Sequence, residues 1–298
     1  MSDILFPALP PERVATRCVC CGRAGLQASP AILMPFVAHR VFGWRPVVID
    51  DSWGLKTIAG GHAYSLCNSL YCAHCDFLFL DIRFSDAELS NLYRDYRGAE
   101  YEALREHYEP GYAERNRQLV QGATYYQHVE AFIAPCLPSR PAVLDWGGDT
   151  GKNTPFQHDN TLLHVHDISG KPVIAGAVAV SRQETLSCAY DLVVCSQVME
   201  HVPYPADMLL DMRERMHDGT ILYLEVPHEP LMRDAVENRA PRKKHWHEHV
   251  NFFSPRALGN LLAACGLDII QMRSFPMPIG DATVDVLQVA ARKHLPSA

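Results

Sequence analysis

The stretch Val143-Leu-Asp-Trp-Gly-Gly-Asp-Thr-Gly151 decides how this chain is read. A short apolar run ends in acid and then in glycines. A strand that runs into a glycine turn lets the backbone approach a ligand closely, at the carboxyl end of that strand. A dinucleotide fingerprint would use its glycines to cradle a pyrophosphate at a helix N-terminus. Here Asp145 and Asp149 load the loop with negative charge, which repels a pyrophosphate and suits an ammonium group. A further acid, Asp167, with Ile168 beside it, ends the next strand about twenty residues on, in reach of a pair of ribose hydroxyls. The plain alternative is a glycine turn that binds nothing.

Outward from that loop, strands and helices alternate. Ala142–Asp145, Leu162–Val165, Ala177–Val180, Leu192–Cys195 and Thr220–Val226 read as five strands, and Met208–Met216 and Pro255–Cys265 as helices. Ile269–Arg273 and Asp285–Ala291 follow, a late pair that suggests an antiparallel hairpin at one edge. Short apolar strands alternating with helices imply an α/β fold whose mostly parallel sheet is covered on both faces. Upstream, Ser85 is a sensible N-cap for Asp86-Ala-Glu-Leu-Ser-Asn-Leu-Tyr93, in a helical, tyrosine-rich stretch interrupted at Pro110-Gly111. Earlier still, Ala31–Val41 and Pro46–Asp50 read as β-like runs. Three regions result: 14–82, 83–137 and 138–298.

The whole chain has 298 residues, 48% of them hydrophobic and 20% charged, enough to bury a full core. A net charge of −7 argues against a general nucleic-acid binder, which needs clustered positive charge. No stretch approaches the roughly 20 apolar residues that span a bilayer, and Met1–Val14 lacks the basic start and apolar run of a signal peptide. The expectation is a cytoplasmic protein.

The loop at 143–151 resembles the first motif of class I S-adenosylmethionine-dependent methyltransferases, an acid followed by glycines at alternate positions. Asp149 stands where the middle glycine sits in that family, and Gly148 lies beside Gly147. The resemblance implies a Rossmann-like methyltransferase sheet, mostly parallel with an antiparallel last strand. It implies S-adenosylmethionine held by Asp145, Gly147, Gly148, Asp149, Gly151, Asp167 and Ile168. Asp191-Leu-Val-Val-Cys-Ser-Gln-Val-Met-Glu-His-Val202 is similar to the family's fourth strand and following loop. That likeness assigns Ser196 and Gln197 to the cofactor, and has Glu200-His201 open the next helix with His201 toward the substrate.

Six of the ten cysteines precede Asp81. Cys18 with Cys21, and Cys72 with Cys75, form two CxxC knuckles, which deliver four thiolates to a structural Zn²⁺. Cys20 and Cys67 are surplus and either could replace one of the four. Reduced core cysteines are the alternative. Region 14–82 is therefore expected to be a zinc-binding module.

His245-Trp-His-Glu-His-Val-Asn-Phe-Phe-Ser254 follows the fifth strand. A histidine titrating near neutrality accepts a proton at cellular pH, and a neighbouring acid orients it. The run is similar to a motif of bacterial sugar C-methyltransferases, which also carry an N-terminal cysteine-ligated zinc module; the likeness does not extend to their C-terminal lobe. It implies His249 as general base, supported by Glu248 and His247, with Asn251 on the substrate side. A second metal site at His245, His247 and His249 would need an extended strand, and a hydrogen-bonded structural loop is the third reading.

Region 83–137 reads either as a lid, with Tyr112 and Arg115 toward the substrate, or as a helical hairpin on the sheet. Arg239-Ala-Pro-Arg-Lys-Lys244 reads as a solvated basic loop or as a grip for the diphosphate of a sugar nucleotide. The leading expectation is a methyltransferase acting on a sugar, sugar nucleotide or glycan. An RNA methyltransferase docking its substrate through the zinc module, and a catalytically silent binding protein of the same fold, are the alternatives. Neither acceptor atom nor oligomeric state is legible.

Overall fold

The structure is a computed structural model that describes residues 12–54, 60–120, 126–235, 245–279 and 282–294. Its N-terminal part begins with β1 (Gln27–Leu33), α1 (Pro35–Phe42), β2 (Val47–Ile49), β3 (Gly61–Ala63), β4 (Leu66–Cys72) and β5 (Phe77–Leu80). The run Ala31–Val41, expected as β-like, changes state halfway. Pro35 sits in the first turn, where its fixed φ and missing N–H fit a helix, and Gly43 closes α1 in the left-handed conformation. Apolar continuity across the junction concealed it.

The connector is helical: α2 (Asp86–Tyr93), α3 (Ala99–Tyr108), α4 (Tyr112–Val120) and α5 (Tyr126–Ile133). Ser85 caps α2 in a full capping box with Glu88. Pro110-Gly111 separates α3 from α4 as expected.

From Ala142 the chain builds β6 (Ala142–Trp146), β7 (Leu162–His166), β8 (Val178–Ala179) and β9 (Leu192–Ser196), then α6 (Pro205–Glu214) and β10 (Ile221–Pro227). After α7 (Pro230–Arg233) come β11 (His245–Trp246), β12 (Asn251–Phe252), α8 (Pro255–Ala264), β13 (Leu267–Ile279) and β14 (Ala282–Lys293). The seven-stranded sheet has the order β13-β14-β10-β9-β6-β7-β8. The pairs from β10 to β8 are parallel, and β14 enters antiparallel beside β10. Every residue of β10 is buried, as a strand covered on both faces requires. The sequence expected Glu200-His201 to open a helix, but α6 starts only at Pro205. Val202 and Tyr204 each precede a proline, which disfavours helical dihedrals, so the helix waits for the second proline.

A second sheet has the order β11-β1-β4-β5-β12. Its two edges come from the histidine segment, so His247–Val250 runs from one edge of this sheet to the other. Trp246, wholly buried, fastens one end by donating Nε1–H to Ser69 Oγ at 2.9 Å. Ser254 fastens the other. Its hydroxyl donates to the Asp76 carbonyl at 2.8 Å and accepts from Ala257 N–H at 3.1 Å, which caps α8. One apolar core joins the cysteine turns, Phe77 and Phe79 to Leu258, Leu261 and Leu262 of α8 and to the central strands. No helix among the described residues is long and apolar enough to cross a membrane.

Candidate functional site

Consecutive crossovers leave β6 on opposite sides, one to β7 and the other to β9. At such a switch point the loops diverge and open a crevice beyond the carboxyl ends of the strands. The glycine loop lies there and is tightly built. A Cβ on Gly147 would come 2.5 Å from Val198 Cγ2, and one on Gly148 would come 2.4 Å from the Asp145 carboxylate. Asp145 thus lies beneath the loop, accepting from Thr154 Oγ1, and does not line the crevice. Burial pushes its pKa up to about 7, the Thr154 hydrogen bond opposing. Its expected place beside a ligand ammonium is not where the structure puts it. The strand's pleat turns it inward, and only Trp146 and Gly147 reach the opening.

Asp149 does reach it, in the left-handed region at φ 52°, a conformation Asp tolerates better than most residues. The middle position of the loop therefore keeps a glycine-like backbone while carrying a carboxylate, which Lys171 Nζ meets at 3.0 Å. Asp167 binds the two loops together. Its Oδ2 accepts from Asp149 N–H at 2.8 Å and its Oδ1 from Ser169 N–H at 2.7 Å. Each carboxylate oxygen retains a second lone pair for a ligand hydroxyl.

The opposite rim is Gln197, also left-handed at φ 57°. It is held by Glu225, a wholly buried acid the sequence reading overlooked. The Glu225 carboxylate accepts from Ser196 Oγ, Gln197 Nε2, Tyr223 OH and Gln288 Nε2 at 2.6–3.1 Å. Between the rims lies a cleft of about 800 Å³ including its open mouth. Of the expected residues, Gly147, Asp149, Asp167, Ile168, Gln197 and His201 line it, and Asp145, Gly148, Gly151 and Ser196 do not. Tyr93 and Tyr96 of the connector form the facing wall.

His201, on the cleft wall, belongs to a cluster of three histidines. His201 packs edge-on to His249 at 4.7 Å between ring centroids, and His249 to His247 at 4.4 Å. His201 is half-buried and held neutral, its pKa pushed down to about 3 mainly by desolvation and then by His249. Its Nδ1 meets Tyr93 OH at 2.7 Å and the Glu248 carbonyl at 3.1 Å. His249 Nδ1 lies 3.1 Å from Glu229 Oε1. Burial lowers the His249 pKa, but the Glu229 hydrogen bond and the charges of Glu200 and Glu248 outweigh it, and the net shift is upward.

The acid beside His249 in space is thus Glu229, which follows β10, and not its chain neighbour Glu248. Glu248 turns the other way and accepts from Arg105 Nη1 at 2.6 Å. Although burial alone would raise it, Arg105, His247 and His249 hold its pKa at about 2. His247 supports the segment instead, its Nδ1 accepting from His249 N–H at 3.1 Å. His245 is exposed and stands apart from the candidate metal-holding groups among the described residues. The acid after a strand's carboxyl end is a positional signal that could have flagged Glu229.

Three expected substrate contacts fall elsewhere. Asn251 is 1% exposed and clamps the 199–202 turn, donating to the Met199 and Val202 carbonyls at 2.9 and 2.6 Å while accepting from Arg83. Tyr112 is buried under Arg105, and Arg115 is exposed beside Glu109. None of the three lines the cleft: Asn251 is turned to the 199–202 turn, and α4, which carries Tyr112 and Arg115, packs against Tyr101. The basic run Arg239–Lys244 lies outside the described residues.

The sulfurs of Cys18, Cys21, Cys72 and Cys75 all lie within 4.8 Å of one another, with Cys18–Cys75 at 3.6 Å and Cys21–Cys72 at 3.7 Å. The edge of a tetrahedron with metal–sulfur bonds of about 2.3 Å is about 3.8 Å, so the four fit one ion. Cys20 points instead to the Ala257 carbonyl, and Cys67 lies outside the group.

No curated protein matches this chain. Solved structures similar to it include the 1,6-didemethyltoxoflavin-N1-methyltransferase of Burkholderia thailandensis, at 18% identity and TM-score 0.46, covering 65% of this chain and 89% of that one. The glycopeptide N-methyltransferase MtfA complexed with sinefungin is 15% identical at TM-score 0.44, with 56% of this chain and 93% of that one covered. A SAM-dependent methyltransferase from Methanosarcina mazei is 17% identical at TM-score 0.42, over 55% of this chain and 97% of that one. A family profile described as a methyltransferase domain matches residues 114–272, which hold the glycine loop, the cleft and the histidine segment. Spanning more than half of the chain, that match shows that this protein belongs to the methyltransferase domain family.

Proposed function

We propose that this enzyme transfers a methyl group from S-adenosylmethionine to a hydroxyl-rich small molecule, a sugar, sugar nucleotide or glycan, with His249 as general base. The observation that carries the reading is the continuity of the cleft from Asp149, Asp167 and Gln197 to His201, which packs against His249. The donor, when bound, supplies an electrophilic methyl carbon on a cationic sulfur. Asp149 contributes negative charge beside that cation and Asp167 accepts from its ribose. Tyr93 and Tyr96 cover the cleft with aromatic bodies and polar tips that suit a polar acceptor. His249 takes the acceptor's proton as the new bond to carbon forms and the carbon–sulfur bond breaks, with Glu229 holding the ring in its tautomer.

The cysteine cluster holds a structural Zn²⁺ in this reading. Its coordination shell is closed, so the ion ties the two turns to α8 and takes no part in the chemistry. Thiolates that must stay reduced fit a cytoplasmic protein.

Calorimetry with S-adenosylmethionine tests the donor: saturable binding is expected, and none at millimolar concentration refutes it. Against a panel of hydroxylated acceptors, His249→Ala should lose about 100-fold or more in turnover while retaining donor affinity. Full turnover in that variant removes the base role.

A further inference from the structure

Glu200 is the acid that the proposed reaction leaves unused. It is 1% exposed, its main-chain carbonyl anchors Val250 and Asn251, and neither carboxylate oxygen has a hydrogen-bond partner. A buried carboxylate without a partner is costly, and such groups are normally paired or hold a cation. Here Glu200 faces two imidazoles: its carboxylate and one ring nitrogen each of His201 and His249 all lie within 4.8 Å of one another. His201 Nε2 is 3.7 Å from Glu200 Oε1.

The surroundings of both rings are those of metal ligands. His201 Nδ1 lies 3.1 Å from the Glu248 carbonyl and 2.7 Å from Tyr93 OH; in the tautomer with its proton on Nδ1, which the carbonyl accepts, the Nε2 lone pair is free on the side of Glu200. The Glu229 carboxylate likewise places a proton on His249 Nδ1 and leaves Nε2 bare. Histidine ligands commonly donate their second N–H to a backbone carbonyl or a carboxylate, and here one ring has each. Ligand atoms around one ion at about 2.1 Å stand about 3–4 Å apart, so modest side-chain adjustment closes the group. Two imidazoles and a carboxylate suit Zn²⁺ or Co²⁺ better than the oxygen-seeking Mg²⁺ and Ca²⁺.

We propose that Glu200, His201 and His249 bind one divalent transition-metal ion, separate from the four-cysteine site, and that this ion inhibits methyl transfer by occupying the nitrogen through which His249 accepts a proton. The binding site stands on its own geometry; the inhibition rests on the base role given to His249.

The test titrates Co²⁺ into the full-length protein with zinc retained at its cysteines. One further equivalent should bind, with weak visible bands and no thiolate-to-metal charge transfer, and turnover should fall in step with occupancy. Glu200→Gln and, independently, His201→Gln should weaken Co²⁺ binding at least about ten-fold, each folded by circular dichroism. In Glu200→Gln the concentration giving half-inhibition, relative to that variant's own uninhibited rate, should rise to match. Absence of the further equivalent in the wild type overturns the site, and so does equal affinity in wild type and both variants. Neither result touches the base role, which His249→Ala tests alone. Tight Co²⁺ binding with unchanged turnover keeps the site and overturns the inhibition.

Discussion

Glu229 Oε1 stands 3.1 Å from His249 Nδ1, a carboxylate–imidazole pair that joins the loop after β10 to the segment crossing the N-terminal sheet. Glu229→Gln removes the charge that helps raise the His249 pKa, so that pKa falls and the acid limb of kcat moves to lower pH. Turnover at neutral pH should drop about ten-fold with donor affinity unchanged. A pH–rate profile in which the limb stays put would uncouple the two residues.

Glu248 serves stability through Arg105, the two side chains being 14% and 9% exposed. Its pKa lies at about 2 against an ordinary 4.5. A depressed carboxylate adds stability above its ordinary value and loses it as pH falls toward the folded one. Glu248→Gln should therefore cost about 2 kcal/mol at pH 7, since the buried Arg105 guanidinium loses one of its two carboxylate partners and keeps Glu109. The gap from wild type should shrink between pH 4.5 and 2, as read by urea unfolding.

Asp145 behaves in the opposite sense. Burial raises its pKa from 3.8 to about 7, so the folded state binds the proton more tightly than the unfolded one. Wild-type stability falls as pH rises through that window and levels off above it. Asp145→Asn, which still accepts from Thr154, removes the slope. The variant should gain on the wild type from pH 4 to 7, on the order of a few kcal/mol, in paired denaturation curves; parallel curves would refute the shift.

Asp149 occupies a left-handed backbone that alanine adopts at a cost of roughly 1 kcal/mol and glycine adopts freely. Both substitutions forfeit the half-exposed ion pair with Lys171, worth at most about 1 kcal/mol. Asp149→Ala should thus be less stable than Asp149→Gly by about 1 kcal/mol, and both should bind S-adenosylmethionine more weakly. Unaltered donor affinity in both would remove the carboxylate from the donor site.

The sheet was legible because its evidence is local. Apolar runs of four to seven residues, the Ser85 cap and the glycines after Val143-Leu-Asp145 each act within a few residues, and the structure has a strand, a helix start and a loop at those places. The errors came from positions where the same local signal serves two states. Ala31–Val41 is apolar on both sides of a strand–helix junction, and Glu200-His201 looks like a helical first turn until the prolines downstream forbid it.

The sequence by itself determined the α/β core, the loop at the end of β6 and the four cysteines of the CxxC knuckles, because spacing along the chain sets these. Only the tertiary structure decided which acid meets which histidine. His249 is turned to Glu229 and Glu248 to Arg105 by β11 and β12, which pin the histidine segment to opposite edges of one sheet. Adjacent side chains on an extended segment point to opposite sides, so chain neighbours such as Glu248 and His249 must find their partners from elements far apart in sequence.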